Sequence, residues 1–474
     1  LAFDEFLYLQ SLFNHSKKQY SAEKKAFEMN IDNLYFDLFQ KQIPFELTSS
    51  QKKCINEILN DIKKTSPMKR LLQGDVGSGK TIVAAAAVTA TISNGKQVAL
   101  MAPTEVLAEQ HMISFRKYLE FFNIDIHLLT SSVKDRENIY QIIERGDPVL
   151  IIGTHALIQE KVNFKNLGLA IIDEQQRFGV EQRKKLTDND YYTPHQLVMT
   201  ATPIPRTTAL AIYGDLELSV IDELPPGRKK IKSRVLSGGK KDNKEVYATA
   251  NEHLKNESQI FVVCPYIEES ENSDIKAAEN VFKLYKSEFE DYNVGLLHGK
   301  MKPDEKEHKM LQMQNGEIDI LVSTVVIEVG IDITNATLMI IESAERFGLN
   351  QLHQLRGRVG RGKKQSECIF HITEGKSNSK ITIDGQARLK AIEEHDDGFK
   401  LSELDLQIRG EGKVTGTTQS GLSDLKIANL RTDYEILENS KDYFSNINDV
   451  DIKNELYKEA KMLFPNFGKI EDST

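Results

Sequence analysis

No run of apolar residues in the 474-residue chain approaches the ~18 that a membrane-spanning helix needs, which excludes a helical membrane span. The N-terminal stretch LAFDEFLYLQSLF has neither the basic segment nor the small-residue cleavage site of a secretory signal, so a cytoplasmic location is expected. The first residue is Leu rather than Met, from which a piece of a longer protein is expected. Cysteine is scarce: Cys54, Cys264 and Cys368 lie far apart, form no CxxC pair and are odd in number. A disulfide framework or structural zinc site is thereby disfavoured, and buried thiols are expected. An excess of positive charge is also missing. The net charge of −9 argues against indiscriminate nucleic-acid binding but leaves room for a local basic groove. At 40% hydrophobic and 28% charged, the chain has the composition of globular protein, long enough for two to four domains of ~100 to 200 residues each.

Against these absences stands GDVGSGKT, residues 74–81, with Leu71 and Leu72 before it and the helix-favouring IVAAAAVTA after it. It has the G-x-x-x-x-G-K-[ST] form in which glycines let backbone N–H groups close around phosphate oxygens. Lys80 would reach the β- and γ-phosphates and Thr81 would hold Mg2+. Short apolar runs then recur at 97–103, 124–131, 148–154, 167–174 and 195–202, separated by polar segments of helix length. Continuous apolar strands with helical crossovers imply a parallel sheet covered on both faces. Ligands of such sheets sit beyond the carboxyl ends of the strands, where these runs deliver Thr104, Thr154, Asp173, Glu174 and Thr200. ELPPGRKKIK, 223–232, is a linker by its prolines, glycine and basic cluster. The pattern restarts at 258–265, 293–299, 318–327, 336–343 and 366–373, a second parallel unit without a phosphate loop of its own. Residues 1 to about 40 have near-helical apolar spacing, either as a connector or as a cap on the following domain, and the tail beyond 374 has helices around a Gly-rich turn.

Asp173 and Glu174 close an apolar strand about ninety residues past the loop. A nucleotide hydrolase needs one carboxylate for Mg2+ and another to orient and deprotonate the attacking water, and adjacent residues after a strand can supply both. In the second unit QLRGRVGRG, 354–362, carries Arg356, Arg358 and Arg361, which cannot all be core. Guanidinium groups suit charge developing on a γ-phosphoryl group; a plain basic surface patch is the alternative.

At this point a family resemblance emerges. FELTSSQ (45–51), GDVGSGKT, APTEVLAEQH (102–111), GTHALI (153–158), DEQQRFGV (173–180), TATPIPRT (200–207), LLHGKMKPDEK (296–306), STVVIEVGIDI (323–333) and QLRGRVGRG resemble, in order and spacing, the motif series of superfamily two helicases. Within it, IDELPPGR (221–228), AERFGLNQLHQLRGRVGR and DLQIRGEGKVTGTTQSG look like the RecG family of bacterial DNA helicases, which remodel stalled replication forks.

The resemblance implies two tandem RecA-like parallel-sheet domains, 41–228 and 229–378, after a helical connector, 1–40. A small, mostly helical translocation-motif domain, 379–474, would follow. It implies that Gln51 reads adenine with Phe45 beside it, and that Gly74, Gly77, Gly79, Lys80 and Thr81 hold phosphate. Asp173 would take Mg2+ and Glu174 the water. Gln176, Thr200 and Thr202 would couple the ATP site to DNA. Thr104, Thr154 and Thr324 would touch the DNA backbone, without reading sequence. Gly330 and Asp332 would complete the nucleotide site, with Arg358 and Arg361 as arginine fingers. Arg409 and Gln419 would be the working residues of the translocation motif, for which a packing extension of the second unit is the alternative. The chain departs from the family in having Glu411 and Lys413 where a proline and an acidic residue are usual, and a motor fragment without the wedge domain that binds branched DNA is expected.

The implied activity is ATP-dependent translocation on double-stranded DNA that remodels stalled forks and Holliday junctions in recombination and repair. The implied cofactors are ATP and Mg2+. Duplex, forked or four-way DNA is the implied partner, with a single-stranded DNA-binding protein as a candidate protein partner, no membrane, and a monomeric state. The rivals are the translocase portion of a transcription-repair coupling factor, a nucleotide-switched DNA-binding module, and an RNA helicase of the same superfamily.

Overall fold

A computed structural model describes residues 1–32, 35–175, 178–187, 192–202, 216–225, 229–265, 271–324, 333–362, 364–372, 381–409, 425–429 and 433–465. Gln176, Gly330, Asp332, Glu411, Lys413 and Gln419 fall outside them, as does the side chain of Arg409. The chain divides into two compact units, one of residues 1–74, 78–223 and 410–474 and the other of residues 75–77 and 224–409.

The first unit carries β1 (Lys69–Gly74), β2 (Gln97–Met101), β3 (Ile126–Leu129), β4 (Leu150–Gly153), β5 (Leu167–Asp173), β6 (His195–Thr200) and β7 (Glu217–Ile221). They form one all-parallel sheet in the order β3-β4-β2-β5-β6-β1-β7. Its helices are α1 (Ala2–Glu23), α2 (Tyr35–Gln42), α3 (Ser49–Ile62), α4 (Lys80–Ser93), α5 (Glu105–Leu119), α6 (Arg136–Arg145) and α7 (Val180–Thr187). The central strands are buried along their whole length, as strands covered on both faces must be. One core lies between the sheet and α3, α4 and α5, and a second on the opposite face. Helix α4 is buried from Ile82 to Thr91, and its run of alanines lets it sit under the sheet with neighbours on every side. At ~1.5 to 3 kcal/mol for each large apolar side chain buried, these faces hold the carboxyl-end loops in place.

The second unit has β8 (Lys232–Leu236), β9 (Gln259–Cys264), β10 (Val294–Leu297), β11 (Ile320–Thr324), β12 (Ala336–Glu342) and β13 (Glu367–His371), again all parallel, in the order β10-β11-β9-β12-β13-β8. With them go α8 (Lys240–Lys255), α9 (Glu271–Glu288), α10 (Pro303–Gln314), α11 (Leu349–Arg356), α12 (Ile383–Glu394) and α13 (Gly398–Arg409). Helices α14 (Tyr434–Asn446) and α15 (Val450–Leu463) join the first unit, where Leu437, Ala460 and Phe464 pack with Phe6, Leu9 and Leu12 of α1.

Two parallel-sheet α/β units with a helical C-terminal region are therefore as expected, and the three thiols are free and buried. Burial pushes Cys54 and Cys368 up to about 12 and Cys264 higher still. Three features differ from expectation. Strand β7 is an extra edge strand, β8 begins inside the segment read as a linker, and residues 24–32 are not helical. That last stretch runs along the first unit, with Ala26 N–H donating to Thr65 O, Met29 N–H to Ile62 O and Asn30 N–H to Asn94 Oδ1. Its backbone donors find better partners there than an isolated helix would give them.

Candidate functional site

Strand β1 ends at Gly74 and α4 starts at Lys80, so the phosphate-loop sequence spans the turn between a buried strand and a buried helix. Gly77 (φ 76°) and Gly79 (φ 88°) adopt left-handed backbone, which a side chain would strain. A Cβ on Gly79 would also crowd the Gln51 side-chain amide, which would have to shift. Lys80 Nζ donates to Gly74 O at 2.8 Å, which folds the amine back over the loop. Thr81 follows in the first turn of α4, where unpaired N–H groups and the helix dipole favour an anion.

Gln51 is 2% exposed and bridges two elements. Its Oε1 accepts from Thr48 N–H (2.9 Å), while Thr48 Oγ1 accepts from Gln51 N–H (3.2 Å), a capping box that starts α3. Its Nε2 donates to Ser78 O at 2.7 Å inside the phosphate loop. Phe45 is exposed and meets Tyr118 of α5 edge-on at 5.9 Å.

Asp173 ends β5 and is buried; its Oδ2 lies 2.7 Å from His111 Nε2 on α5. Glu174 is one of four described non-glycine residues with positive φ (54°), and its N–H donates to Met199 O at 2.9 Å. Such a conformation costs about 1 to 3 kcal/mol and persists only where the surroundings impose it. Glu174 Oε1 accepts from Ala201 N–H at 3.2 Å, and Thr200 Oγ1 accepts from Thr202 N–H at 3.2 Å. The water-orienting candidate is thus tied to the segment that follows β6. The donors fit Mg2+: a carboxylate and a hydroxyl are hard oxygen ligands, and Mg2+ usually takes one or two carboxylates with substrate phosphates.

Of the hydroxyls expected on DNA, Thr104 is half-buried and caps α5, its Oγ1 accepting from Leu107 N–H at 3.3 Å. Thr154 and Thr324 are buried at the carboxyl ends of β4 and β11. In the second unit, Arg356 is a core strut. Its guanidinium donates to Ile392 O, His395 O and Asp396 O at 2.8 to 3.0 Å, fastening α11 to the end of α12. Arg358 is buried and Arg361 half-buried. The backbone of Arg409 ends α13.

His111 is the residue that sequence reasoning passed over. A signal existed: Ala108, His111, Phe115 and Leu119 form the buried stripe of α5, and a histidine in an apolar stripe needs a polar partner.

Comparison with known proteins follows the same division. The family model "DEAD/DEAH box helicase" matches residues 48–210, "Helicase conserved C-terminal domain" matches 243–363, and "ATP-dependent DNA helicase RecG, domain 3, C-terminal" matches 395–473. The chain is 48% identical over 443 residues to the ATP-dependent DNA helicase RecG of Synechocystis, covering 92% of this chain and 52% of that protein. It is 47% identical over 431 residues to the RecG of Aquifex aeolicus, covering 90% and 54%. A solved structure of RecG bound to a three-way DNA junction superposes with a TM-score of 0.75 at 40% identity, covering 92% of this chain and 56% of that one. The chain spans about half the length of these relatives.

Proposed function

The chain belongs to the RecG family of ATP-dependent DNA helicases, and from that premise we propose that it is the motor part of an ATP-driven translocase on double-stranded DNA. In the whole protein such a motor would remodel branched DNA, including stalled forks and four-way junctions, in recombination and repair. The observation that carries this reading is the first unit's carboxyl edge. A glycine phosphate loop heads a buried helix there, and a strand-end Asp-Glu pair is hydrogen-bonded into neighbouring elements. The match over residues 395–473 to a RecG-specific model favours this over the translocase of a transcription-repair coupling factor.

On this reading residues 41–228 are the ATP-binding lobe, 229–378 the second lobe and 379–474 the translocation module, with 1–40 joining them to an upstream segment. Lys80 and the loop glycines hold the ATP phosphates, Thr81 and Asp173 hold Mg2+, and Glu174 orients the attacking water. Gln51 and Phe45 flank the adenine, and Gln176, Thr200 and Thr202 relay DNA occupancy. Gly330 and Asp332 take part in nucleotide binding, Arg358 and Arg361 serve as arginine fingers, and Thr104, Thr154 and Thr324 lie along the DNA backbone. Arg409 and Gln419 drive translocation. Bound Mg2+ neutralises charge on the β- and γ-phosphates. The working form is a cytoplasmic monomer that meets single-stranded DNA-binding protein at forks.

The test is DNA-stimulated ATP hydrolysis by the full chain. Lys80→Ala and Glu174→Gln should each abolish it with an unchanged circular dichroism spectrum. Retained turnover in either variant would overturn the assignment.

A further inference from the structure

The pair formed by His111 and Asp173 has no packing rationale. Both side chains are about nine-tenths buried, and a leucine at position 111 would fill the same stripe between Ala108 and Phe115 without a polar group to satisfy. The imidazole is nonetheless held firmly. Its ring leans on Phe115 one turn further along α5, at 6.2 Å between centroids, and its Nε2 meets one carboxylate oxygen at 2.7 Å. That oxygen belongs to the residue at the carboxyl end of β5, next to Glu174.

We propose that His111 is a positioning residue for the metal carboxylate: Nε2–H donates to Asp173 Oδ2, fixes the carboxylate rotamer, and leaves Oδ1 to face the cation that accompanies the nucleotide. The proposal rests on the reading of Asp173 as the Mg2+ residue. Carboxylates that serve metals are themselves hydrogen-bonded, and removing such an outer partner typically costs ten- to a hundredfold in metal affinity. An apolar neighbour would leave Asp173 free to rotate and uncompensated within its buried surroundings.

The geometry supplies its own rescue variant. The contact runs through Nε2, the far nitrogen of the ring, so the amide of glutamine reaches as far and keeps the donor, whereas asparagine falls short. In the full chain, binding of a fluorescent non-hydrolysable ATP analogue is titrated with MgCl2, alongside thermal unfolding. His111→Leu and His111→Asn should raise the half-saturating Mg2+ by about ten- to a hundredfold. Metal-free nucleotide binding should stay unchanged, and His111→Gln should remain within about threefold of the parent. A parental Mg2+ dependence in His111→Leu would overturn the proposal. So would an equal defect in the Leu and Gln variants accompanied by a lowered melting temperature, because that pattern marks a purely structural histidine. Lys80→Ala serves as the control. If it still binds nucleotide, the reading of the site itself fails; if it does not while His111→Leu keeps the parental Mg2+ curve, only the role of His111 fails.

Discussion

Gln51 offers the sharpest separation of folding from nucleotide binding, because one buried amide performs two tasks through different atoms. Its Oε1 accepts from Thr48 N–H in the α3 capping box, and its Nε2 donates to Ser78 O in the phosphate loop. Gln51→Ala removes both. Half the capping box is worth about 1 kcal/mol, and a neutral buried hydrogen bond adds about 1 kcal/mol more, so the folded state should lose roughly 2 kcal/mol of stability. Gln51→Glu keeps an acceptor for Thr48 N–H but sets a carboxylate oxygen against the carbonyl of Ser78. The cap acceptor then survives while the loop tether becomes repulsive; the buried carboxylate also lowers stability, so the loop contribution is read as the loss of nucleotide affinity in excess of that in Thr48→Ala. Thr48→Ala does the reverse, costing about 1 kcal/mol of stability through the lost cap acceptor and leaving the loop tethered. Urea denaturation and equilibrium binding of a fluorescent ATP analogue, run on all three variants, read the two tasks separately. Parental nucleotide affinity in Gln51→Glu would refute the claim that this amide holds the loop.

Two histidines should impose opposite pH dependences on stability. His195 is pinned neutral: Nδ1 accepts from Met68 N–H (3.0 Å) and Nε2–H donates to Phe27 O (2.9 Å), and burial holds its pKa below the ordinary value. Its contribution is present above the unfolded pKa of about 6.5 and is lost as pH falls, so His195→Gln should flatten the acid limb of a urea-midpoint profile. For His371 burial pushes the pKa down, but the hydrogen bond and charge of Glu342, 2.6 Å away, outweigh it and raise the pKa. Its contribution is full below about 6.5 and fades as pH rises, so His371→Gln should flatten the other limb; an unchanged profile in either variant contradicts the assigned sign. Glu5 accepts the backbone N–H groups of Lys426, Ile427 and Ala428 at 2.7 to 3.0 Å. Glu5→Ala should speed amide hydrogen exchange at 426–428 by about tenfold or more, since hydrogen bonds to a charged acceptor are worth about 1.5 to 3 kcal/mol; parental exchange would show the contact to be idle.

Most of the fold was legible because strands buried on both faces appear as unbroken apolar runs, as at Leu167–Asp173 and Gln259–Cys264. Strands β7 and β8 escaped for the same physical reason inverted. Each pairs on one side only, and ELSVI and KSRVL mix charge with apolar residues at half-exposed positions. Residues 24–32 have a helical composition, yet their backbone is claimed by Thr65, Ile62 and Asn94, contacts that no local pattern encodes. Within the site the division is between local and distant. The glycines of 74–81 and the Asp-Glu pair announce themselves because their chemistry needs adjacent residues. His111 and Asp173 stand 62 positions apart, and only the pairing of α5 with β5 brings them together.

The same distant contacts bear on how a DNA signal could reach the nucleotide. Helix α5 carries Thr104 at its N-cap and His111 seven residues on, a rise of ~10 Å along one rigid helix, and His111 touches Asp173. Glu174 is joined by one hydrogen bond to Ala201, which sits between Thr200 and Thr202. Each carboxylate assigned to the ATP reaction is therefore one hydrogen bond away from a short segment that also carries residues assigned to DNA contact or coupling. If those assignments hold, a long chain of side chains is unnecessary: the proposed coupling would run through one helix and through residues 200–202 at the end of β6. Double-mutant cycles can tell this arrangement from mere proximity. If α5 transmits, Thr104→Ala and His111→Leu should be non-additive in DNA-stimulated turnover, whereas residues two turns apart without coupling add within about 0.5 kcal/mol.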